Sequence, residues 1–193
     1  MKPATQRVTF RLLDRAVIGA FLFLVLLLLG IEVARAGEIV PSVGWTQTPG
    51  GIGGQGSLTG GLALRSGLVP MVKSEIGISY RSEDLGGTGS RMSMWPVTAS
   101  LWVSPIPTLY AGGGVGMYHS TIQYPPALGL ADQTTQKFGW HLGGGFSIPV
   151  VPAIASLDLN GRYVFLQKQE SLAPPNTFNP DFWSVSAGLA IHI

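Results

Sequence analysis

From Gly37 onward the chain alternates between apolar and polar or small residues in runs of about ten, each followed by a break rich in Gly, Pro, Asn or Asp. Ser156–Leu166 (SLDLNGRYVFL) shows the pattern most clearly. Read with period two, Leu157, Leu159, Gly161, Tyr163 and Phe165 fall on one face, and Asp158, Asn160 and Arg162 on the other. Eight such segments predict strands: Ile39–Thr48, Leu58–Ser66, Met71–Glu83, Met92–Ser104, Thr108–Tyr124, Lys137–Ile148, Ala155–Lys168 and Phe182–Ile193. No window in this region reads as an amphipathic helix, because Gly, Pro and β-branched residues interrupt each candidate.

The breaks alternate in length. Gly67–Pro70, Pro105–Pro107 and Pro149–Pro152 are tight, whereas Pro49–Ser57, Asp84–Arg91, Pro125–Gln136 and Gln169–Asp181 are longer. Short turns at one end and longer loops at the other is the pattern of a bacterial outer-membrane barrel, with both mature termini on the periplasmic, short-turn side.

Aromatic positions sharpen this expectation. The outward face of each strand can be set by its aliphatic parity: Val43, Ile76 and Ile78, Val97 and Leu101, Leu142, Leu157 and Leu159, Leu189 and Ile191. Trp45, Tyr80, Trp95, Trp140, Phe165 and Trp183 share that parity and lie toward the long-loop ends, as an aromatic girdle at a membrane boundary requires. The opposite parity assigns Arg65, Lys73, Glu75, Arg81, His141, Asp158, Asn160, Arg162 and His192 to a lumen. Eight strands enclose a space just wide enough for side chains to fill, so the expectation is a packed polar interior and no open pore. Arg65 and Arg162 are the expected partners of Glu75 and Asp158 on parity alone. The fifth strand remains open, since Val115 and Met117 favour one facing and Tyr118 and Ile122 the other.

Before the strands, Met1–Arg15 is basic, Ala16–Ile31 is an apolar run, and Ala34-Arg35-Ala36 offers a small-x-small cleavage site ahead of Gly37. This predicts a signal peptide over residues 1–36 and a mature barrel over 37–193, the competing reading being a retained inner-membrane anchor. Of the chain's 12 basic and 10 acidic residues, five and two belong to the leader, leaving seven and eight in 157 residues. The mature chain is therefore near neutral and has no basic patch for nucleic acid. Its charged fraction is about a tenth, against roughly a quarter for a soluble domain, too few to cover a water-facing surface. Cysteine is absent, which removes disulfides and thiolate metal sites.

Several stretches resemble a known family. Leu109–Ser120 (LYAGGGVGMYHS), Lys137–Val150 (KFGWHLGGGFSIPV), Ser156–Leu166 and Phe182–Ile193 (FWSVSAGLAIHI) look like successive strands of the small outer-membrane β-barrel domain family. That family includes the membrane domain of outer membrane protein A and the opacity-type porin-family proteins. The resemblance implies an all-β, eight-stranded antiparallel up-and-down transmembrane barrel in the outer membrane. It also implies recognition by the barrel-assembly machinery through the terminal strand, where family members commonly end in Phe and this chain ends in Ile193. The expected partners are outer-membrane lipids and lipopolysaccharide, the expected state a monomer, and the expected role structural or surface-interactive.

The chemistry-bearing motifs are sparse. Gly67–Ser74 approaches a phosphate-binding loop, but Val72 stands where its second Gly belongs, and no helix follows. The other glycine runs read as relief of crowding in a curved sheet. His119, His141 and His192 lie on three different strands without metal-ligand spacing. The most specific enzymatic alternative is a lipid A deacylase-like hydrolase, for which His119 and Ser120 would be the pair. Deacylases carry His-x-Ser, which puts both side chains on one face of a strand, whereas adjacent residues diverge. A soluble periplasmic lipid-binding barrel is a third reading, opposed by the sparse charge and the outward aromatics. These readings assign no catalytic, cofactor-binding or metal residue.

Overall fold

The computed structural model describes residues 37–49, 56–85, 89–167, 169–170 and 177–193; the proposed signal peptide and cleavage site lie outside them. Eight long strands form the wall: β1 (Gly37–Gln47), β2 (Ser57–Val69), β3 (Val72–Leu85), β4 (Ser90–Ile106), β5 (Leu109–Gln123), β6 (Gln133–Val151), β7 (Ala155–Leu166) and β10 (Phe182–His192). Between the last two, β8 (Gln169–Glu170) and β9 (Thr177–Phe178) pair as a short ribbon. Each wall strand pairs antiparallel with its sequence neighbour, and β1 closes on β10 from Glu38 opposite His192 to Gln47 opposite Trp183. The result is a closed up-and-down barrel without a free edge.

Each of the three tight turns contains a proline. In Val151-Pro152-Ala153-Ile154 the amide of Ile154 donates to the Val151 carbonyl at 3.0 Å, and Ala153 has φ 62°. Pro at the second position and positive φ at the third is the type II arrangement, which ordinarily takes Gly at the third. Met71, after Pro70, also has positive φ, at 69°. A register irregularity precedes each turn, at Gly67/Val69, Val103/Ile106 and Pro149/Val151. Bulges of this kind twist the strand at a barrel rim.

Strand limits differ from the sequence expectation where pairing outlasts the hydrophobic pattern. β6 starts at Gln133 rather than Lys137 because the β5–β6 ladder continues to Ile122 opposite Gln133. It also runs through Pro149 to Val151, and the Gln169–Asp181 connection contains the β8–β9 ribbon. Prolines inside the wall interrupt the ladder locally. Around Pro96 the β3–β4 pairing passes from Ile78 opposite Val97 to Arg81 opposite Met94. Pro has no N–H to donate.

The facing of β5 is settled by burial. Tyr110, Tyr118, Ser120 and Ile122 are buried and point inward, while Leu109, His119 and Gln123 are exposed. Inward glycines on β5 and β6 make room for the tyrosine rings. A Cβ on Gly145 would sit 2.5 Å from the Tyr110 hydroxyl, and one on Gly116 or Gly139 3.0 Å from the Tyr118 ring.

This crowding yields a contrast between two glycines. Gly145→Val should lower the denaturation midpoint in lipid vesicles by the equivalent of about 1–3 kcal/mol, the usual cost of overpacking. Gly67→Ala, where an added Cβ meets nothing within 4 Å, should stay within about 0.5 kcal/mol of the parent. Equal midpoints for the two variants would contradict the packing described.

Candidate functional site

Among the described residues, the interior gathers a linked set of charges. Arg65 on β2 and Glu75 on β3 occupy the same rung of the ladder. Arg65 donates from Nε and Nη2 to Glu75 Oε2 at 3.0 and 2.7 Å, and from Nη1 to Asp158 Oδ2 at 2.8 Å. The second Glu75 oxygen accepts from Arg162 Nη2 at 2.7 Å. Arg162 Nε donates to Asn160 Oδ1 at 2.6 Å, Asn160 Nδ2 donates to the Tyr110 hydroxyl at 3.0 Å, and that hydroxyl donates to Asp158 Oδ1 at 2.8 Å. These contacts close a ring through six side chains from β2, β3, β5 and β7. Alternation along β7 supplies three of them, Asp158, Asn160 and Arg162, on one face.

Toward the short turns, Lys73 Nζ donates to Glu38 Oε1 at 2.5 Å, and His192 Nδ1 lies 3.6 Å from the same oxygen. Glu38 is also 3.7 Å from Arg65. Three cations, Arg65, Lys73 and Arg162, thus face three carboxylates, Glu38, Glu75 and Asp158. Trp102 lies beneath the Arg162 guanidinium, 5.0 Å from ring centroid to Cζ, with Tyr110 edge-on at 5.4 Å. His141 is buried beside them, its Nε2 3.0 Å from Ser100 Oγ.

Toward the long loops the interior changes character. Met92, Met94, Tyr118, Ile122, Tyr124, Val164 and Phe182 form a buried apolar cluster. Arg81 enters it from β3, donating to Glu83 at 2.9 Å and Thr48 at 3.2 Å, with its guanidinium 4.0 Å above the Phe182 ring. The expectation of a polar interior therefore needs correction in this half, where inward positions are large and apolar. A cavity of about 100 Å³ lies between the halves, bordered by Glu75, Arg81, Arg162 and Phe182.

Of the nine residues assigned to the lumen by parity, Arg65, Glu75, Arg81, His141, Asp158 and Asn160 are buried, Lys73 and Arg162 are partly so, and His192 is exposed at the end of β10. Trp45, Tyr80, Trp95 and Trp140 point outward with 39–50% of their surface exposed, and Phe165 and Trp183 are partly covered. Tyr80 packs on Trp95 at 4.6 Å, and Trp140 stacks on Phe165 at 3.9 Å. Tyr163 and Phe138 belong to the same outer face. Sequence reasoning missed Glu38, Trp102 and Tyr110. Trp102 carried a usable signal, since its parity opposes that of Leu101 and Val103.

The proposed hydrolase pair does not converge. His119 is exposed on the outer face, whereas Ser120 is buried inside, 2.9 Å from the Thr135 hydroxyl. Among the described residues, no group of three His, Cys, Asp or Glu side chains is arranged to hold a metal ion.

No protein family and no curated protein matches the sequence. Solved structures do match. Neisserial surface protein A aligns over 81% of this chain and 97% of its own, with 14% identity and a TM-score of 0.64. The attachment invasion locus protein of Yersinia pestis, Ail, solved with the heparin analogue sucrose octasulfate, aligns over 82% of this chain and 100% of its own, with 13% identity and a TM-score of 0.52. A major outer membrane protein from Thermus thermophilus aligns over 82% and 100%, with 12% identity and a TM-score of 0.50. The shared property is the fold, that of small transmembrane β-barrels.

The ring of charges sets up a stability test. Arg65→Met leaves Glu75 and Asp158 buried without their central partner, and the midpoint in lipid vesicles should fall by the equivalent of about 3–5 kcal/mol. Arg91 pairs with Asp84 at 2.8 Å on the exposed rim, and Arg91→Ala should leave the midpoint unchanged. A small effect for Arg65→Met would mean that the ring is not formed in the folded protein.

Proposed function

We propose that this chain is an integral outer-membrane protein with a structural or surface-interaction role, whose interior is closed to solutes. One observation carries the reading: the side chains are inverted relative to a soluble barrel. Val43, Leu62, Ile78, Leu101, Leu142 and Phe146 are 47–64% exposed, while Arg65, Glu75, Arg81 and His141 are no more than 3% exposed. Only a hydrocarbon solvent makes that distribution favourable, because an apolar wall facing water and charges buried inside are both costly.

On this reading the N-terminal segment directs export, both mature termini lie in the periplasm, and the long connections face outward toward lipopolysaccharide and other surface partners. The aromatic positions from Trp45 to Trp183 form the girdle at the outer boundary. The barrel acts as a monomer, and its last strand, ending in Ile193, is the segment offered to the assembly machinery. The ion-paired layer and the apolar cluster above it support a closed interior. The divergence of His119 and Ser120 weighs against hydrolysis.

Quenching by brominated lipid tests the inside and outside assignment. With Trp140 as the sole tryptophan, fluorescence in brominated vesicles should fall strongly; with Trp102 alone it should be nearly unaffected. Equal quenching would refute the assignment, and no quenching of Trp140 would favour a soluble barrel.

Two further measurements address activity. The reconstituted protein should pass no steady current across a planar bilayer, and reproducible conductance would reject the closed interior. His119→Ala and Ser120→Ala should leave lipid A acylation unchanged. Loss of a deacylated product in both folded variants would restore the hydrolase reading.

A further inference from the structure

One wall of the bore is built from small polar residues. Gly61 stands between Ser42 and Ser79 on one rung of β1, β2 and β3, and a Cβ there would lie 3.1 Å from Ser79 Cβ and 3.4 Å from Ser42 Oγ. On β10, Ser184 and Ser186 share a face, and Ser184 is opposite Arg162 of β7. All of these residues line the cavity of about 100 Å³ that lies between the ionic ring and the apolar cluster. Among the described residues, the hydroxyls of Ser42, Ser79, Ser184 and Ser186 have no hydrogen-bond partner, and none of the four is sealed from water.

The charged groups that border this cavity are not equally open to it. The Glu75 side chain is 0% exposed, and both its oxygens accept from arginines of the ring. Arg81 is 2% exposed and paired with Glu83. Arg162 exposes 21% of its side chain although it stands well inside β7 and faces inward, so the exposed part borders interior space. Its Nε and Nη2 are committed to Asn160 and Glu75, whereas Nη1 has no acceptor and, unlike the two unpaired Arg81 nitrogens, is not sealed. The open polar surface is therefore one guanidinium nitrogen and four hydroxyls, all of them donors, with no carboxylate open beside them. Water fills a polar space of this kind when nothing else does. An uncommitted guanidinium N–H makes a stronger bond to an acceptor that carries negative charge. A divalent anion would bring a second charge that no open cation meets. We propose that the cavity binds one small monovalent inorganic anion, with chloride as the representative. Arg162 Nη1 donates to the ion, and the serine hydroxyls turn their protons toward it. The site stands whether or not the barrel conducts.

The test uses the barrel refolded into lipid nanodiscs in a gluconate buffer, with chloride exchanged for gluconate at constant ionic strength. A parallel set is refolded with chloride present, so that slow entry does not hide binding. The Arg162 Nε–H resonance, assigned through Arg162→Gln, and the Ser184 and Ser186 backbone amides should shift saturably. The Arg91 Nε–H, in the exposed pair with Asp84, reports general salt effects and should move little and without saturation. Ala63→Leu fills the cavity from β2 and Ser186→Leu from β10, and each should weaken binding, read at the Ser184 amide, by about tenfold or more. Arg162→Gln should abolish the response of both serine amides. Heat-shift electrophoresis identifies the variants that fold, and where one does not, the others carry the comparison. Sulfate at matched ionic strength should bind about tenfold more weakly than chloride. Resonances that stay still in both sets, that follow Arg91, or that saturate equally in the folded variants overturn the site. Sulfate binding as tightly as chloride overturns the monovalent assignment.

Discussion

A segment crossing a bilayer must pair its backbone amides and carbonyls within the protein, and this chain meets that demand through the ladder between β1 and β10. Much else follows from that closure. Eight strands closed on themselves leave a bore that side chains can nearly fill, so the inward residues are chosen by volume as much as by polarity. The glycines that face the Tyr110 and Tyr118 rings are one expression of this limit, and the small residues around the short-turn mouth are its converse. Among the described residues, the prolines inside the wall sit where a ladder yields: at Pro41, where the β1–β10 pairing passes from Ile39 to Ser42, at the local gap beside Pro96, and at the bulges around Pro105 and Pro149.

The ionic ring is weak evidence for net stability, because removing charges from water costs about as much as their pairing returns. Its physical role is better read as specification of register. Arg65 and Glu75 share a rung, and Asp158, Asn160 and Arg162 share a face of β7. A one-residue slip of either β2 or β7 would turn these groups outward into the hydrocarbon and the leucines inward. The penalty for that error is large on both faces at once. A polar ring inside an apolar wall therefore discriminates against misregistered closures more strongly than an apolar interior would.

The fold was legible wherever the two faces of a strand differ in chemistry. Along β7, Leu157 and Leu159 contrast with Asp158 and Asn160, and period two identifies both the strand and its facing. Along β5 the contrast fails, since Val115 and Met117 point one way while Tyr118 and Ile122 point the other, and all four are apolar. The cause is the apolar half of the interior, which parity alone cannot separate from a lipid-facing wall. The six-membered ring was partly legible, because parity placed its charged members inside. Its closure through Tyr110 was not, because a tyrosine amid glycines gives no sign of its facing. Strand ends were the least legible, as at Gln133, where backbone pairing continues after the side-chain pattern stops.

The middle of the barrel also bears on where function can reside. The Tyr110 hydroxyl, the Asn160 amide and both Glu75 oxygens are each engaged with neighbours in the ring. A group held in this way has little capacity left for a substrate unless the ring first opens, at the cost of exposing unpaired buried charges. Unspent polar capacity lies at the margins instead. The Trp102 indole N–H and the Arg81 Nε and Nη1 lack hydrogen-bond acceptors, and all three atoms are buried. On the proposed reading of a closed interior, the ring separates two short compartments of the barrel. On that reading recognition of anything larger than a small ion falls to the ends and the connecting loops, because the bonds that fix the register also occupy the carboxylates, the amide and the phenol of the centre.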